Sequence, residues 1–231
     1  VEQGVKVVTT GAGSPKKYMQ MWKDAGIKVI PVIASVAMAK SAVRAGADAV
    51  VAEGQESGGH IGELTTMSLV PQVCSAVDVP VIAAGGIADG RGFAASLMLG
   101  ACGVQMGTRF LCAEECNVHQ TYKDMVLKAS DISTVTTGRR FAGNTCRCIK
   151  NQFARDFLKT EYLPETTADD VAELGVGALR KAAVEGDKSE GCFLAGQISG
   201  LVNEIQPAKE IIEEVINDAE TLLKGADKWV K

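Results

Sequence analysis

The sequence predicts an α/β fold: a TIM-type parallel (β/α)8 barrel seen from its fourth strand onward, with a helical region added after it. Three observations carry this reading. Short apolar, β-branched runs alternate with helix-like stretches. The runs are apolar throughout, as in strands buried on both faces beneath covering helices. The 25 glycines, set against only 5% aromatic residues, suit a fold with many tight strand-to-helix turns. With 46% hydrophobic positions in 231 residues, the chain is long enough for one large domain and short for two.

The predicted strands are residues 5–10 (VKVVTT), 28–33 (KVIPVI), 47–52 (ADAVVA), 80–84 (PVIAA) and 103–106 (GVQM). Helices are expected at 14–25, 35–45, 66–76 and 90–99, with Ser or Asp near several starts and Gly26, Gly46 and Gly100 near three ends. Alternation alone fits an open doubly wound sheet as well as a closed barrel. The glycines decide, because barrel phosphate sites come from the loops after strands seven and eight. Here the two best phosphate-binding turns follow the last two of these strands, which makes the visible strands four to eight. Three β/α units, about 80 residues on the barrel norm, are then expected on a separate N-terminal fragment, removed or disordered. Residues 1–113 are assigned to strands four to eight with their helices, and 114–231 to a helical lid and C-terminal helices on the same domain. Within the latter, 117–128 and 148–158 read as helices, 134–145 as irregular and polar, 161–170 as an acidic loop, and 171–185 and 208–224 as amphipathic helices. This region is expected to cover the barrel mouth or an oligomer interface, with a homodimer as the assembly.

A net charge of −4 argues against nucleic acid or an anionic membrane as partner. No apolar run reaches the ~18 residues a membrane span needs, and Val1-Glu2-Gln3 does not open a signal peptide, so a cytoplasmic location is expected. The seven cysteines are odd in number and scattered, hence free thiols rather than a disulfide framework. Cys146 and Cys148 are the only close pair and lack two further ligands at zinc spacing, so no metal is expected.

Residues 80–87 (PVIAAGGI) end a buried strand in Gly85-Gly86 ahead of Asp89-Gly90 and a helix. Backbone amides there can approach an anion unobstructed by Cβ atoms, and a helix N-terminus favours negative charge. A second turn at 105–110, with Gln105, Met106, Gly107 and Thr108, adds amides and a hydroxyl. Together the two turns form the barrel's phosphate cradle. Residues 52–62 (AEGQESGGHIG) follow a buried strand and so lie at the catalytic face, where Gly54, Gly58, Gly59 and Gly62 let the backbone run close to a planar ligand. His60 in this loop is the candidate catalytic residue, placed for proton transfer or hydrogen-bond donation. His119 reads as a solvated surface residue. Glu53 can accept a hydrogen bond from a bound ring or sit in an ion pair. Gly11-Ala12-Gly13 lacks the last glycine of a dinucleotide fingerprint and reads as a mouth loop.

Residues 5–13 (VKVVTTGAG), 52–66 (AEGQESGGHIGELTT), 80–90 (PVIAAGGIADG), 104–110 (VQMGTRF), 149–157 (IKNQFARDF) and 194–202 (LAGQISGLV) resemble the superfamily of nitronate monooxygenases and flavin-dependent enoyl-acyl-carrier-protein reductases. Glu53 and the His60-Ile61-Gly62 ending resemble the reductase branch, where nitronate monooxygenases tend to have Gln and His-Arg-Gly. The resemblance implies an FMN-containing barrel that takes hydride from NAD(P)H and delivers it to the β-carbon of a trans-2-enoyl thioester on acyl carrier protein, the last step of fatty acid elongation. Carried over by position, Glu53, Gly58, Gly86, Gln105, Gly107 and Thr108 contact FMN, with Gly59, Gly85 and Met106 completing the cofactor-binding set. His60 becomes the active-site histidine. The family's flavin contacts on its first three strands have no counterpart in this sequence. Alternatives are oxidation of alkyl nitronates on the same flavin, or a truncated barrel without catalysis.

Overall fold

The computed structural model describes residues 1–229 except 12, 14 and 142. Ala12 of the first mouth loop, the expected helix start at Ser14, and Ala142 of the 134–145 stretch lie outside the described residues. The chain runs β1 (Val7–Thr10), α1 (Lys16–Asp24), β2 (Lys28–Ile33), α2 (Val36–Arg44), β3 (Val50–Glu53), β4 (Gly59–His60), α3 (Thr66–Cys74), β5 (Val81–Ala84), α4 (Gly90–Met98) and β6 (Gly103–Gln105). The second part holds α5 (Thr108–Leu111), α6 (Gln120–Leu127), β7 (Thr134–Thr137), β8 (Cys146–Ile149), α7 (Gln152–Glu161), α8 (Ala168–Gly175), α9 (Ala178–Arg180) and α10 (Ala208–Lys224).

Five strands form one parallel sheet in the order β1-β2-β3-β5-β6, curled into an incomplete barrel as the sequence predicts. Among the described residues β1 and β6 each pair on one side only, so these strands do not close on one another. The central strands are apolar on both faces because α2 and α3 cover one face while the barrel interior takes the other. Val29, Val50, Leu69, Val70 and Val73 are completely buried in this core. Truncating one such leucine typically costs about 2–5 kcal/mol. Helix starts follow their caps. Ser35 accepts from the Met38 amide at 3.2 Å, and Asp89 accepts from the Arg91 and Gly92 amides at 3.0 and 3.1 Å. Helix α10 lies along α4, and Gly90 permits that approach: a Cβ there would fall 2.3 Å from Asp218 Cβ.

The largest departures from expectation lie between residues 134 and 185. The stretch expected to be irregular holds β7, and the helix expected from 148 begins only at Gln152. β7 and β8 pair antiparallel, Thr134 opposite Ile149 and Thr137 opposite Cys146, and β4 adds to the other edge of β8. β-branched Thr134-Val135-Thr136-Thr137 suits a strand, and Asn151, whose side chain accepts from the Ala154 amide at 2.9 Å, fixes the helix start instead. The expected acidic loop at 161–170 is partly helical. α7 runs to Glu161, and Thr167 with Asp170 forms a capping box that starts α8, so Asp169 and Asp170 face the positive end of a helix. The expected helix at 171–185 is broken after Gly175. Val176 is extended and Gly177 takes φ 74° before α9 and a π-turn over Lys181–Glu185.

Candidate functional site

Two cavities meet at the C-terminal ends of the strands. The first, about 300 Å³, is built on Glu53 at the end of β3, on Gly85-Gly86 after β5 and on Gln105 to Thr108 after β6. The second, about 380 Å³, lies between β4, β8 and the helices α7 and α8, and is walled mainly by apolar side chains such as Phe153, Phe157 and Val171. Leu179 and Leu194 line both, so the two are neighbours across one wall.

Every candidate cofactor residue from the sequence lines the first cavity: Glu53, Gly58, Gly59, Gly85, Gly86, Gln105, Met106, Gly107 and Thr108. Gly85 and Gly86 take φ 87° and 74°, a left-handed turn that glycine adopts without steric cost. Among the described residues no carbonyl takes the amides of Gly85, Gly86 or Gly107. The α4 N-terminus is not part of this cradle, since Asp89 already caps it. Burial lifts the Glu53 carboxyl above its ordinary value, and the nearby Ser57 hydroxyl works against that shift. No hydrogen bond of good geometry satisfies the buried Ser57 oxygen, which leaves it available to a ligand. Thr108 is already engaged, accepting from the Gly196 amide at 2.9 Å.

The glycines after β3 have a different reason than the sequence suggests. Protein, not ligand, fills the space that their side chains would occupy. A Cβ on Gly54 would meet Thr66 Oγ1 at 2.1 Å, one on Gly58 the Ala195 backbone at 2.6 Å, and one on Gly62 Ala34 Cβ at 2.5 Å. These glycines let the loop lie flat against the 195–196 segment and the start of α3. By contrast, nothing lies within 4 Å of a Cβ built on Gly107, which faces open cavity.

His60 lies not in a free loop but in a two-residue strand, opposite Cys146 of β8, with the Ile61 amide bonded to Thr145 O at 3.0 Å. It lines the second cavity, not the glycine-lined one. His119 is exposed, and its Nδ1 accepts from the Thr121 amide at 3.1 Å to cap α6.

Several residues that shape the site were not singled out from sequence. Glu56 lines the first cavity while its carboxylate accepts from Thr66 N at 3.0 Å and from Thr66 Oγ1 at 3.0 Å, so its charge sits at the α3 N-terminus. Arg147 of β8 donates through Nε and Nη2 to Gln55 O at 3.2 and 3.0 Å and ties the loop before His60 to the second sheet. Leu194, Gly196 and Ile198 close the first cavity from the far end of the chain. The 194–202 stretch that carries part of the resemblance was the only signal for them.

The residues of the first cavity suit a phosphorylated flavin. Free amides on two glycine turns provide an anion cradle, an unpartnered serine hydroxyl and Gln105 offer hydrogen bonds to a polyol chain, and Glu53 offers an acceptor. Its volume is at the low end of the ~300–1,000 Å³ usual for small-molecule sites, enough for part of an FMN-sized molecule. This is a β/α-barrel protein with a glycine-lined cavity at the C-terminal strand ends and an apolar compartment beside it. The chain belongs to the nitronate monooxygenase family, whose profile matches residues 1–218. The structure is similar to FabK from Thermotoga maritima, with a TM-score of 0.95 at 48% identity over 100% of this chain and 73% of that one. It is also similar to a nitroalkane oxidase from Streptomyces ansochromogenes, with a TM-score of 0.81 at 30% identity over 96% of this chain and 66% of that one. A "Probable nitronate monooxygenase" of Staphylococcus aureus (strain JH9) is 35% identical over 97% of this chain and 65% of its own length. The chain spans 59–65% of the length of the curated relatives it matches. Among the described residues no helix is long and apolar enough to cross a membrane, and no cluster of side chains suits a metal ion.

Proposed function

We propose that this chain forms the larger part of an FMN-dependent enoyl reductase, which uses NAD(P)H to reduce a trans-2-enoyl thioester carried on acyl carrier protein. The observation that carries the reading is the pairing of the two cavities: a polar, glycine-cradled one beside an apolar one, with His60 on the apolar side. Bound in the first, FMN supplies hydride transfer between nicotinamide and substrate. Gly85, Gly86, Gly107 and Thr108 hold its phosphate, while Glu53 and Ser57 meet its polar groups. Leu179 and Leu194 keep water from the junction, and the apolar cavity takes the acyl chain. His60 orients the thioester carbonyl and holds a proton for the α-carbon. Three observations favour reduction over nitronate oxidation. Identity to FabK is higher than to the nitroalkane oxidase. Glu53 and His60-Ile61-Gly62 follow the reductase pattern. The second cavity, at about 380 Å³ and mostly apolar, suits an acyl chain better than a small nitronate.

The unpaired edges of β1 and β6 are where further β/α units would complete the barrel, on the same chain or a separate fragment. A homodimer is the proposed assembly. The decisive assay is anaerobic, on purified protein supplied with FMN. NAD(P)H oxidation that depends on crotonyl thioester supports the reductase; oxygen uptake with alkyl nitronate and no NAD(P)H demand replaces it with the monooxygenase. His60→Ala should slow turnover while FMN stays bound, and unchanged turnover would remove His60 from the mechanism.

A further inference from the structure

The apolar cavity has one polar end, and the second sheet builds it. His60 of β4 and Thr137 of β7 both stand directly opposite Cys146 of the central strand β8. Directly opposed residues share a face of the sheet, so the three form a row across it, and all three line the cavity. Asn144, two residues before Cys146, joins them. The helices supply only apolar lining, with Phe153 and Phe157 from α7, Val171 and Ala172 from α8, and Leu179 from α9.

The row runs from solvent inward. His60 is exposed, Asn144 and Cys146 are half-buried, and Thr137 is only 3% exposed. Among the described residues the Thr137 hydroxyl and the Asn144 amide have no hydrogen-bond partner, and a buried polar group left so is costly unless something else satisfies it. The turn that carries this end is fixed from behind. Glu161, completely buried, accepts from the Gly138 amide at 2.8 Å and from the Arg140 amide at 2.7 Å. Gly138 takes φ 71°, and a Cβ built on it would strike the Asn144 carbonyl oxygen. Asn144 is thereby held against the residue that follows Thr137.

We propose that Thr137 and Asn144 form a specificity subsite for a hydroxyl on the far part of an acyl chain, so that the cavity takes oxygenated chains in preference to plain hydrocarbon ones. The inference rests on the reading of this cavity as the acyl compartment with His60 at the thioester. Two strand spacings, about 10 Å, separate His60 from Thr137, and this span sets the chain length at which the hydroxyl reaches its partners. A hydroxyl both donates and accepts, as do the side chains of Thr137 and Asn144. A carboxylate is disfavoured there, since among the described residues no lysine or arginine lines the cavity. A chain without the hydroxyl leaves the Thr137 oxygen buried and unpaired, which is how a polar site rejects an apolar analogue.

The test measures binding rather than turnover. Saturated acyl thioesters, which have no double bond to reduce, are titrated by calorimetry into protein supplied with FMN and no NAD(P)H. They are compared in pairs of equal chain length, with and without a terminal hydroxyl. At one chain length the hydroxylated member should bind at least about fivefold tighter. Thr137→Val, which removes the hydroxyl and keeps the shape, should bring that pair to within about twofold of each other, and Thr137→Ser should retain the preference. Equal binding of the pair at every length overturns the proposal and leaves the reductase reading standing; absence of binding by either member overturns both. A preference that survives Thr137→Val overturns it as well. If the valine variant fails to fold, the length series decides, because a preference of the same size at every length overturns the proposal.

Discussion

Gly107→Ala separates a glycine kept for a ligand from one kept for the fold. Gly107 has φ −104° and ψ −65°, which alanine can adopt, and a Cβ built there meets nothing within 4 Å. The folded protein therefore has no steric objection to the methyl. Restricting the unfolded chain should stabilise by about 0.4–1 kcal/mol, and alanine at the first cap position of α5 should cost a comparable amount. The two nearly cancel, so the melting temperature without cofactor should move by no more than about 2–4 °C. The methyl does enter the space proposed for the phosphate. Overpacking a fitted site costs about 1–3 kcal/mol, or roughly a 5- to 150-fold weaker FMN Kd at 1.4 kcal/mol per decade. Titrating cofactor-free protein and following the quenching of flavin fluorescence gives Kd, and a parallel thermal melt gives stability. An FMN Kd within about twofold of the parent would refute the cradle, and a melt lowered by more than about 10 °C would refute the claim that this space is free.

Gly58→Ala should behave in the opposite way, because its Cβ would sit 2.6 Å from the Ala195 backbone. A loss of about 1–3 kcal/mol, seen as a lower melting temperature with or without FMN, is expected. Asn151→Ala removes the α7 cap together with the Nδ2 bonds to Lys188 O at 3.0 Å and Gly191 O at 2.7 Å. It should lower stability by about 2–3 kcal/mol in urea unfolding. Asp48 would be raised by its partial burial, but hydrogen bonds from Lys23, the Val29 amide and Lys28 outweigh this and bring it to about 2. Since the folded value lies below the unfolded ~3.9, its contribution is present above pH ~4 and lost as pH falls toward 2. Asp48→Asn should remove on the order of 1 kcal/mol of that acid-limb slope, and an unchanged slope between pH 5 and 2 would discount the Lys23–Asp48–Lys28 cluster.

The parallel strands were legible because each is a short run of Val, Ile and Ala buried on both faces, and that pattern is local. β7 and β8 were not. Their identity comes from pairing with each other and with the 193–194 segment, which outweighs the helical spacing of residues 148–158. That Gly85, Gly86, Gly107 and Thr108 line one cavity could be anticipated because barrel strand ends are chemically stereotyped. Its outer wall could not, since Leu194 and Gly196 carry no chemistry of their own and gain a role only where they land. The Gly54 to Gly62 cluster was noticed for glycine content, but its cause is close packing of chain on chain, which composition alone does not distinguish from room for a ligand. Glu56, three residues beyond Glu53, escaped notice because its partner, Thr66, is the start of a helix.

The contacts that close the first cavity span long stretches of sequence. Arg147 reaches Gln55 across 92 residues, and Thr108 reaches Gly196 across 88. A chain emerging during synthesis therefore carries both glycine turns of the cradle well before it carries their roof. Such distant closures come late in folding, because the ordering of the intervening chain must precede them. The first cavity is then one of the last features of the fold to be completed, and the half-built sheet persists with the glycines of its strand ends exposed to water until residues 192–198 arrive.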